Sequence, residues 1–498
     1  MPKNSAFIDL ITIALEPDSS VPLYQQLYET LREAILTGRL EAGLRLPPTR
    51  ALAEELGVSR NTVVNAFEQL IAEGYIDSRI GAGSFVASDL PEEVLELRSK
   101  ALDAAPSQRW DRSGILSQRG EIIASAPVRL GPSTPAAFQP GLPALDEFPF
   151  KIWEQLMDHH WRYLPPASFG YGAAVGYQPL REVIAAYLGA ARGVRCEAEQ
   201  IIMVAGTQQA INLAAYVLLD PGDKVWMEDP GYIDGRVALL GAGVTPVPIP
   251  VDAEGVSIDM GQQLCPDARL VYITPSYQYP LGIRMSLSRR LRLLEWANQA
   301  NAWILEDDYD SEYRYAGRPL AALQGLDHAG RVIYIGTFSK VLFPALRMGY
   351  IVAPHDLVDA FTAALALVNR CLPILPQAVL TDFFAEGHFA RHVRRMRTLY
   401  AERQALLVEM VQQELAGRLD IGPAEAGLHL LAHLIDYDDR LASTRLAENG
   451  IHAPSLASYA VRPQPHPGLV LGYAPLKEPQ IRQGVATMAR VLIDANNG

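Results

Sequence analysis

Cysteine is almost missing from this chain, with Cys196, Cys265 and Cys371 the only three in 498 residues. They are far apart and odd in number, which excludes a disulfide framework and a cysteine-type zinc site and suits a reducing compartment. No run approaches the roughly eighteen consecutive apolar residues of a membrane-spanning helix, so no membrane association is expected. The start, MPKNSAFIDLITIALEPDSS, lacks a basic segment followed by a long apolar run. It does not read as a secretion signal, and a cytoplasmic location is the expectation. Positive charge is also in deficit, with a formal balance of −13. That argues against non-specific nucleic-acid binding. A small segment with a locally basic face remains compatible with it, because only charges near the phosphates act.

What is present is ordinary globular composition, 49% hydrophobic and 20% charged. The length exceeds what one hydrophobic core serves, so two or more domains are expected. Three zones emerge. Residues 1–87 form a head dense in helical signals from about residue 20, closing in a glycine-rich hairpin. Residues 88–130 lack clear periodicity and read as a linker with room for one short helix. Residues 131–498 alternate strand and helix, an α/β pattern with a mostly parallel mixed sheet.

In the head, Leu23, Leu27, Leu31 and Ile35 recur every four residues, the buried stripe of an amphipathic helix. Pro47-Pro48-Thr49 starts a second, short helix, and Gly57 fits its C-terminal cap. Ser59 fits the N-cap of a third, from Arg60 to about Ala72, expected to bury Val63, Val64, Phe67, Leu70 and Ile71. Two helices joined by Gly-Val-Ser form a helix-turn-helix, and YIDSRIGAGSFVAS reads as a β-wing around Gly81-Ala82-Gly83. Arg50, Ser59, Arg60, Asn61 and Thr62 lie at helix starts, where side chains and free amides meet phosphates and base edges. Arg45 and Arg79 add candidate phosphate contacts, and Gly83 permits close approach. The plainer alternative is a small helical packing domain. Residues 1–90 carry seven Lys and Arg against twelve Asp and Glu, so the head is not basic overall.

In the body, five apolar segments each end in a polar cluster. They begin at Gln200, Lys224, Leu270, Ala302 and Val332 and lead into AGTQQA, EDPGY, TPSYQYPLG, EDDYDSE and GTFSK. In open α/β sheets the ligand lies outside the carboxyl ends of the strands, so repeated polar ends describe a ligand crevice. Gly206, Thr207 and Gln208 open a helix whose free amides can hold a phosphate. Tyr232 offers an aromatic face for a flat ring. Asp307, expected just past a strand, can pair with a protonated ring nitrogen, and Tyr309 can donate to a ring oxygen. Lys340, after Ser339, is placed to form a Schiff base with a carbonyl cofactor. Arg347 is within reach of the same phosphate. Taken singly, such a lysine is ordinarily a solvated charge and such an aspartate a turn residue; five clusters in order carry the reading. His429 and His433, in GLHLLAHLI, read as packed or hydrogen-bonded residues, and no metal site is expected.

The head from PLYQQLYETL to GAGSFV resembles the GntR family of bacterial regulators. From Gly131 on, YGAAVGYQPLREVIAAYL, AGTQQAI, PGDKVWMEDPGY, EDDYDSEY and GTFSKVLFPALRMGY resemble fold-type I aminotransferases. That resemblance implies pyridoxal 5'-phosphate, with Lys340 as its Schiff-base lysine, Asp307 at the pyridine nitrogen, Tyr309 at the ring oxygen and Tyr232 stacking. Ser339 and Arg347 would bind phosphate with Gly206, Thr207 and Gln208, and Tyr171 would reach a neighbouring subunit's phosphate, which implies a homodimer. Two departures stand out. Tyr279 occupies the place of the family's usual Asn before Pro-x-Gly, and Val470 that of its carboxylate-binding Arg, with Arg462 nearby as a substitute effector contact. Head and body together resemble the MocR (GabR) type of regulator. It implies a transcription factor with paired DNA half-sites, an amine, amino acid or pyridoxal phosphate as effector, and nucleoid association when bound to DNA. The competing reading is a working aminotransferase with an appended head.

Overall fold

A computed structural model describes residues 15–16, 19, 21–79, 83–88, 116–125, 136–315 and 321–494. The chain divides into two compact units, Met1–Ser113 and Gly114–Gly498. Gly81 and Ala82 of the wing turn, the side chain of Arg79, and residues 89–115 and 126–130 of the expected linker lie outside the described residues.

In the first unit, helix α1 spans Leu23–Leu36, α2 spans Thr49–Leu56 and α3 spans Arg60–Ala72. Strands β1 (Ile76–Arg79) and β2 (Gly83–Val86) pair antiparallel as the wing. Gly57 ends α2 at φ 67°, a conformation that suits glycine. Ser59 caps α3 by accepting from the Thr62 amide at 3.1 Å. One face of α3 buries Val63, Ala66, Phe67 and Leu70. Val64 is only half-buried and Ile71 is exposed, contrary to expectation. The helical repeat admits positions 63, 66, 67 and 70 to one face and turns 64 and 71 away from it.

The second unit is built on an eight-stranded sheet in the order β3-β10-β9-β8-β7-β4-β5-β6. The strands are β3 (Ile201–Val204), β4 (Lys224–Asp229), β5 (Thr245–Asp252), β6 (Gly255–Val256), β7 (Leu270–Ile273), β8 (Trp303–Asp308), β9 (Val332–Thr337) and β10 (Gly349–Val352). The run from β5 through β4, β7 and β8 to β9 is parallel. β10 is antiparallel to β3 and β9, and β6 to β5. Helices cover the sheet, and β3, β7 and β9 are buried throughout, which explains their near-continuous apolar sequences. β5 carries proline at 246, 248 and 250 because only two-residue β6 lies beyond it.

All five predicted strands are present. β8 runs on through Glu306, Asp307 and Asp308, so Asp307 lies within the strand, opposite Ile335, rather than past its end. A three-stranded sheet of β11 (Leu419–Asp420), β12 (His429–Leu434) and β13 (Gly468–Gly472) packs with helices His388–Glu414 and Glu478–Asp494 around a second core. Helix Gln118–Ser125, inside the stretch read as linker, places Ile123 against Gly241 of this unit.

Candidate functional site

The carboxyl ends of the parallel strands open onto a cavity of about 360 Å³. Thr207, Gln208, Tyr232, Asp307, Tyr309, Ser339, Lys340 and Arg347, eight of the predicted residues, line it together.

Lys340 follows β9 by three residues, and its Nζ donates to the Gly141 carbonyl at 2.6 Å. Desolvation lowers its pKa below the ordinary lysine value, against the pull of Asp310, Asp307 and Asp234. Gly141 has φ +85°, and a Cβ there would stand 2.9 Å from Nζ, so both backbone and space call for glycine.

Asp307 accepts a hydrogen bond from the Tyr272 hydroxyl through Oδ2 at 2.5 Å. Its Oδ1 is buried without a partner among the described residues, as is the Tyr309 hydroxyl. Burial lifts the Asp307 pKa to about 7; the Tyr272 bond and the Lys340 charge oppose this and Asp308 reinforces it. Tyr232 stacks on Tyr272 with ring centres 6.3 Å apart, and its hydroxyl accepts from Gln208 Nε2 at 3.0 Å. That bond occupies one amide hydrogen of Gln208, a second task beside the expected phosphate contact.

Helix Thr207–Leu218 begins at Gly206, whose φ of +104° suits glycine, and the Arg347 guanidinium lies directly over Gly206. Arg347 holds φ 48°, a left-handed conformation that a non-glycine residue rarely adopts outside constrained sites. The helix start, Thr207, Ser339 and the guanidinium thus converge on one corner of the cavity, an arrangement of donors that can hold an anion.

Tyr171 does not join the cavity; it is 82% exposed, with Arg370 4.4 Å over its ring. Arg462 does not line it either. The Asp229 carboxylate accepts the backbone amides of Val461 at 2.7 Å and Arg462 at 3.0 Å, fixing this loop to the end of β4. Val470 is fully buried against Ile233 and Tyr459. Tyr279 donates to the Tyr459 hydroxyl at 3.1 Å and meets the rings of Tyr232, Tyr309, His429 and Tyr459 edge-on.

Sequence reasoning missed Gly141, Asp234, Tyr272, His452 and Tyr459 as lining residues. A Pro-Gly turn marks Gly141, and Tyr272 lies beside Asp307 once β7 and β8 are paired; the others leave no local signal. His429 is buried and hydrogen-bonded to the Pro280 carbonyl at 3.1 Å, and it also lines the cavity. His433 is half-buried beside His466.

In the first unit, Arg45, Arg50, Ser59, Arg60, Asn61 and Gly83 are exposed and Thr62 is half-buried. The Ser59 hydroxyl is engaged with both the amide and the hydroxyl of Thr62. Arg45 lies across the wing, where a Cβ at Gly83 would stand 3.3 Å from its Nε.

The profile for bacterial regulatory proteins of the gntR family matches residues 23–86, and that for aminotransferase class I and II matches 149–486. Over 477 residues the chain is 44% identical to the probable rhizopine catabolism regulatory protein MocR of Rhizobium meliloti, covering 96% of this chain and 95% of that protein. The chain belongs to the MocR type of GntR-family regulators. It is also 29% identical to PdxR of Corynebacterium glutamicum, an HTH-type pyridoxine biosynthesis transcriptional regulator, over 96% of this chain and 98% of that one. The body of this MocR-type chain resembles the multiple substrate aminotransferase of Thermococcus profundus, with a TM-score of 0.70, 26% identity, and 78% and 99% of the two chains covered. The aminotransferase class I and II family is in general dependent on pyridoxal phosphate. Among the described residues no helix is long and apolar enough to cross a membrane.

Proposed function

We propose that this chain is a pyridoxal phosphate-dependent transcriptional regulator. It would read promoter DNA through the winged helix-turn-helix and sense a small amine, an amino acid or the cofactor itself in the aminotransferase-like body. The observation that carries the sensing half is the pair of buried, unpartnered atoms, Asp307 Oδ1 and the Tyr309 hydroxyl, in one cavity with Lys340. Unsatisfied buried polar atoms are unfavourable, and a ligand that satisfies both explains their retention.

The residues fit pyridoxal phosphate. Asp307 would accept a hydrogen bond at Oδ1 from the protonated ring nitrogen, and Tyr309 would donate to the ring oxygen. Tyr232 would stack on the ring, while Gly206, Thr207, Gln208, Ser339 and Arg347 would hold the phosphate. Bound there, the cofactor supplies an electrophilic carbon to which an amine can attach. Burial lowers the Lys340 pKa, which favours the neutral amine that such a bond requires. An effector amine competing with Lys340 would alter the contacts of the cavity wall and shift the population of body conformations.

Tyr171 would reach a neighbouring subunit's phosphate in a homodimer. Its exposed neighbours Trp161, Tyr163 and Phe169 support a covered face there. A dimer presents two heads, and so calls for paired half-sites in the DNA. Residues 1–87 as head, 88–130 as linker and 131–498 as effector body is the organisation that this reading adopts, in a cytoplasmic setting.

The test is binding of full-length protein to DNA upstream of its own and adjacent genes at physiological salt, with the cofactor's absorption followed in parallel. Sequence-selective binding that changes when an amine shifts the absorption is expected. Efficient multiple-turnover transamination without selective DNA binding would overturn the regulator reading.

A further inference from the structure

The charges on the cavity wall distinguish between classes of amine. Among the described residues, Lys340 and Arg347 are the only lysine and arginine that line it. Both have tasks in the reading above, as the cofactor's amine and at the anion-binding corner. Asp234 and Asp307 line the same cavity. Within this chain, the two candidate positions for a further cation do not reach the lining. Val470 is fully buried behind Tyr459 and Ile233 and pairs with Leu431 across β12 and β13. Arg462 is not among the lining residues, and its backbone amide is held by Asp229.

The surface in their place is uncharged. Tyr279 and Tyr459 meet hydroxyl to hydroxyl, and the His429 ring stands edge-on to Tyr279 at 5.2 Å with Nε2 bonded to the Pro280 carbonyl. A carboxylate seated here would exchange water for a wall whose lysine and arginine are both already engaged, and would face Asp234. An ammonium group approaching the same site meets Asp234 favourably, and a neutral body packs on the tyrosine faces.

We infer that the effector is a primary amine without a carboxylate, its uncharged body seated against Tyr279 and Tyr459. This rests on the pyridoxal phosphate reading above. The test uses full-length protein loaded with pyridoxal phosphate. It is titrated with ethanolamine against serine, isobutylamine against valine and 2-phenylethylamine against phenylalanine. Cofactor absorption and melting temperature are followed together, and each affinity is divided by that of free pyridoxal phosphate for the same compound. In the pairs that respond, the amine should be favoured by about tenfold or more, a difference of roughly 1.4 kcal/mol. Arg462→Ala should leave that preference unchanged.

Amino acids that bind as well as their amines, or a protein that responds to neither set, would overturn the inference. So would loss of amino-acid binding in Arg462→Ala. A protein showing no absorption of bound cofactor fails the earlier reading instead, and this one with it, so the two failures are distinct.

Discussion

The Tyr272 hydroxyl donates to Asp307 Oδ2 at 2.5 Å and leaves Oδ1 of the same carboxylate buried without a partner. One oxygen anchors the side chain and the other faces the cavity. Asp307→Asn, which keeps shape and removes charge, should weaken cofactor retention about a hundredfold, the scale of one buried charge-assisted hydrogen bond of roughly 3 kcal/mol. Tyr272→Phe should weaken it by about tenfold, since the carboxylate remains but loses its anchor. Equilibrium dialysis followed by absorption measures both. Equal retention in Asp307→Asn and wild type would remove Asp307 from the site.

Burial raises Glu228, Glu306 and Asp307 each to about 7. Their unfolded values are near 4, so across that interval the folded state holds more protons than the unfolded chain. The contribution of these three groups to the stability of the cofactor-free protein should therefore be greatest at the acidic end and fall as pH rises from 4 towards 7 by up to about 1.4 kcal/mol per pH unit for each group. It runs against the opposite slope of His392 and His429, which burial lowers to about 4. Denaturant titrations at several pH values check the slope. Asp307→Asn should reduce it by about one group's share.

Arg192 makes a buried ion pair with Asp308, with Nε and Nη2 each 2.8 Å from Oδ2, and Nη2 also donates to Ser276. Tyr334 and Ser311 donate to the same carboxylate oxygen. Arg192→Met leaves Asp308 charged and uncompensated, and should destabilise the body by about 3–5 kcal/mol. Replacing Asp308 with Leu as well should recover a large part of that loss. A double replacement no more stable than the single one would show that Asp308 draws its compensation from the hydroxyls.

In the head, Ser59→Ala removes the cap on α3 and should cost about 1 kcal/mol of head stability. Arg60→Ala should leave folding unchanged and reduce the salt dependence of DNA binding by about one phosphate contact. An unchanged salt slope would place Arg60 away from the phosphates.

Gly141→Ala introduces a Cβ at 2.9 Å from Lys340 Nζ in a backbone with φ +85°. Lys340 must move off the Gly141 carbonyl, so cofactor capture should slow at least about tenfold by stopped-flow absorption. Binding of the head to DNA should be unaffected in the cofactor-free protein. Wild-type capture kinetics would show that the amine tolerates the displacement.

Much of the site was legible because its signals are local. A strand ending in AGTQQA or GTFSK carries both its secondary structure and its chemistry within ten residues, and sheet topology then gathers the ends. The helix-turn-helix was legible for the same reason, from Gly57 and Ser59. Residues joined by long-range pairing were not. Arg192 on a helix and Asp308 on β8 are 116 positions apart, and although Asp308 lies in the EDDYDSE cluster, nothing local marks its pairing with Arg192. Tyr459 and His452 reach the cavity from the part of the chain that carries β11 to β13, whose sequence shows packing but no ligand pattern. Ile71 shows the reverse failure, being apolar and near the stripe of α3 yet turned away by the helical repeat.

The tether from Asp229 to the amides of Val461 and Arg462 carries a consequence for biosynthesis. The cavity draws on residues from Gln139 to Tyr459. During translation Lys340 and Asp307 emerge well before the loop that completes the wall. A nascent chain stalled between them holds the reactive amine without an enclosing chamber. On the proposed reading, capture of the cofactor would wait for the segment through Tyr459, and a bound cofactor would report that this far part of the body has been made and has docked.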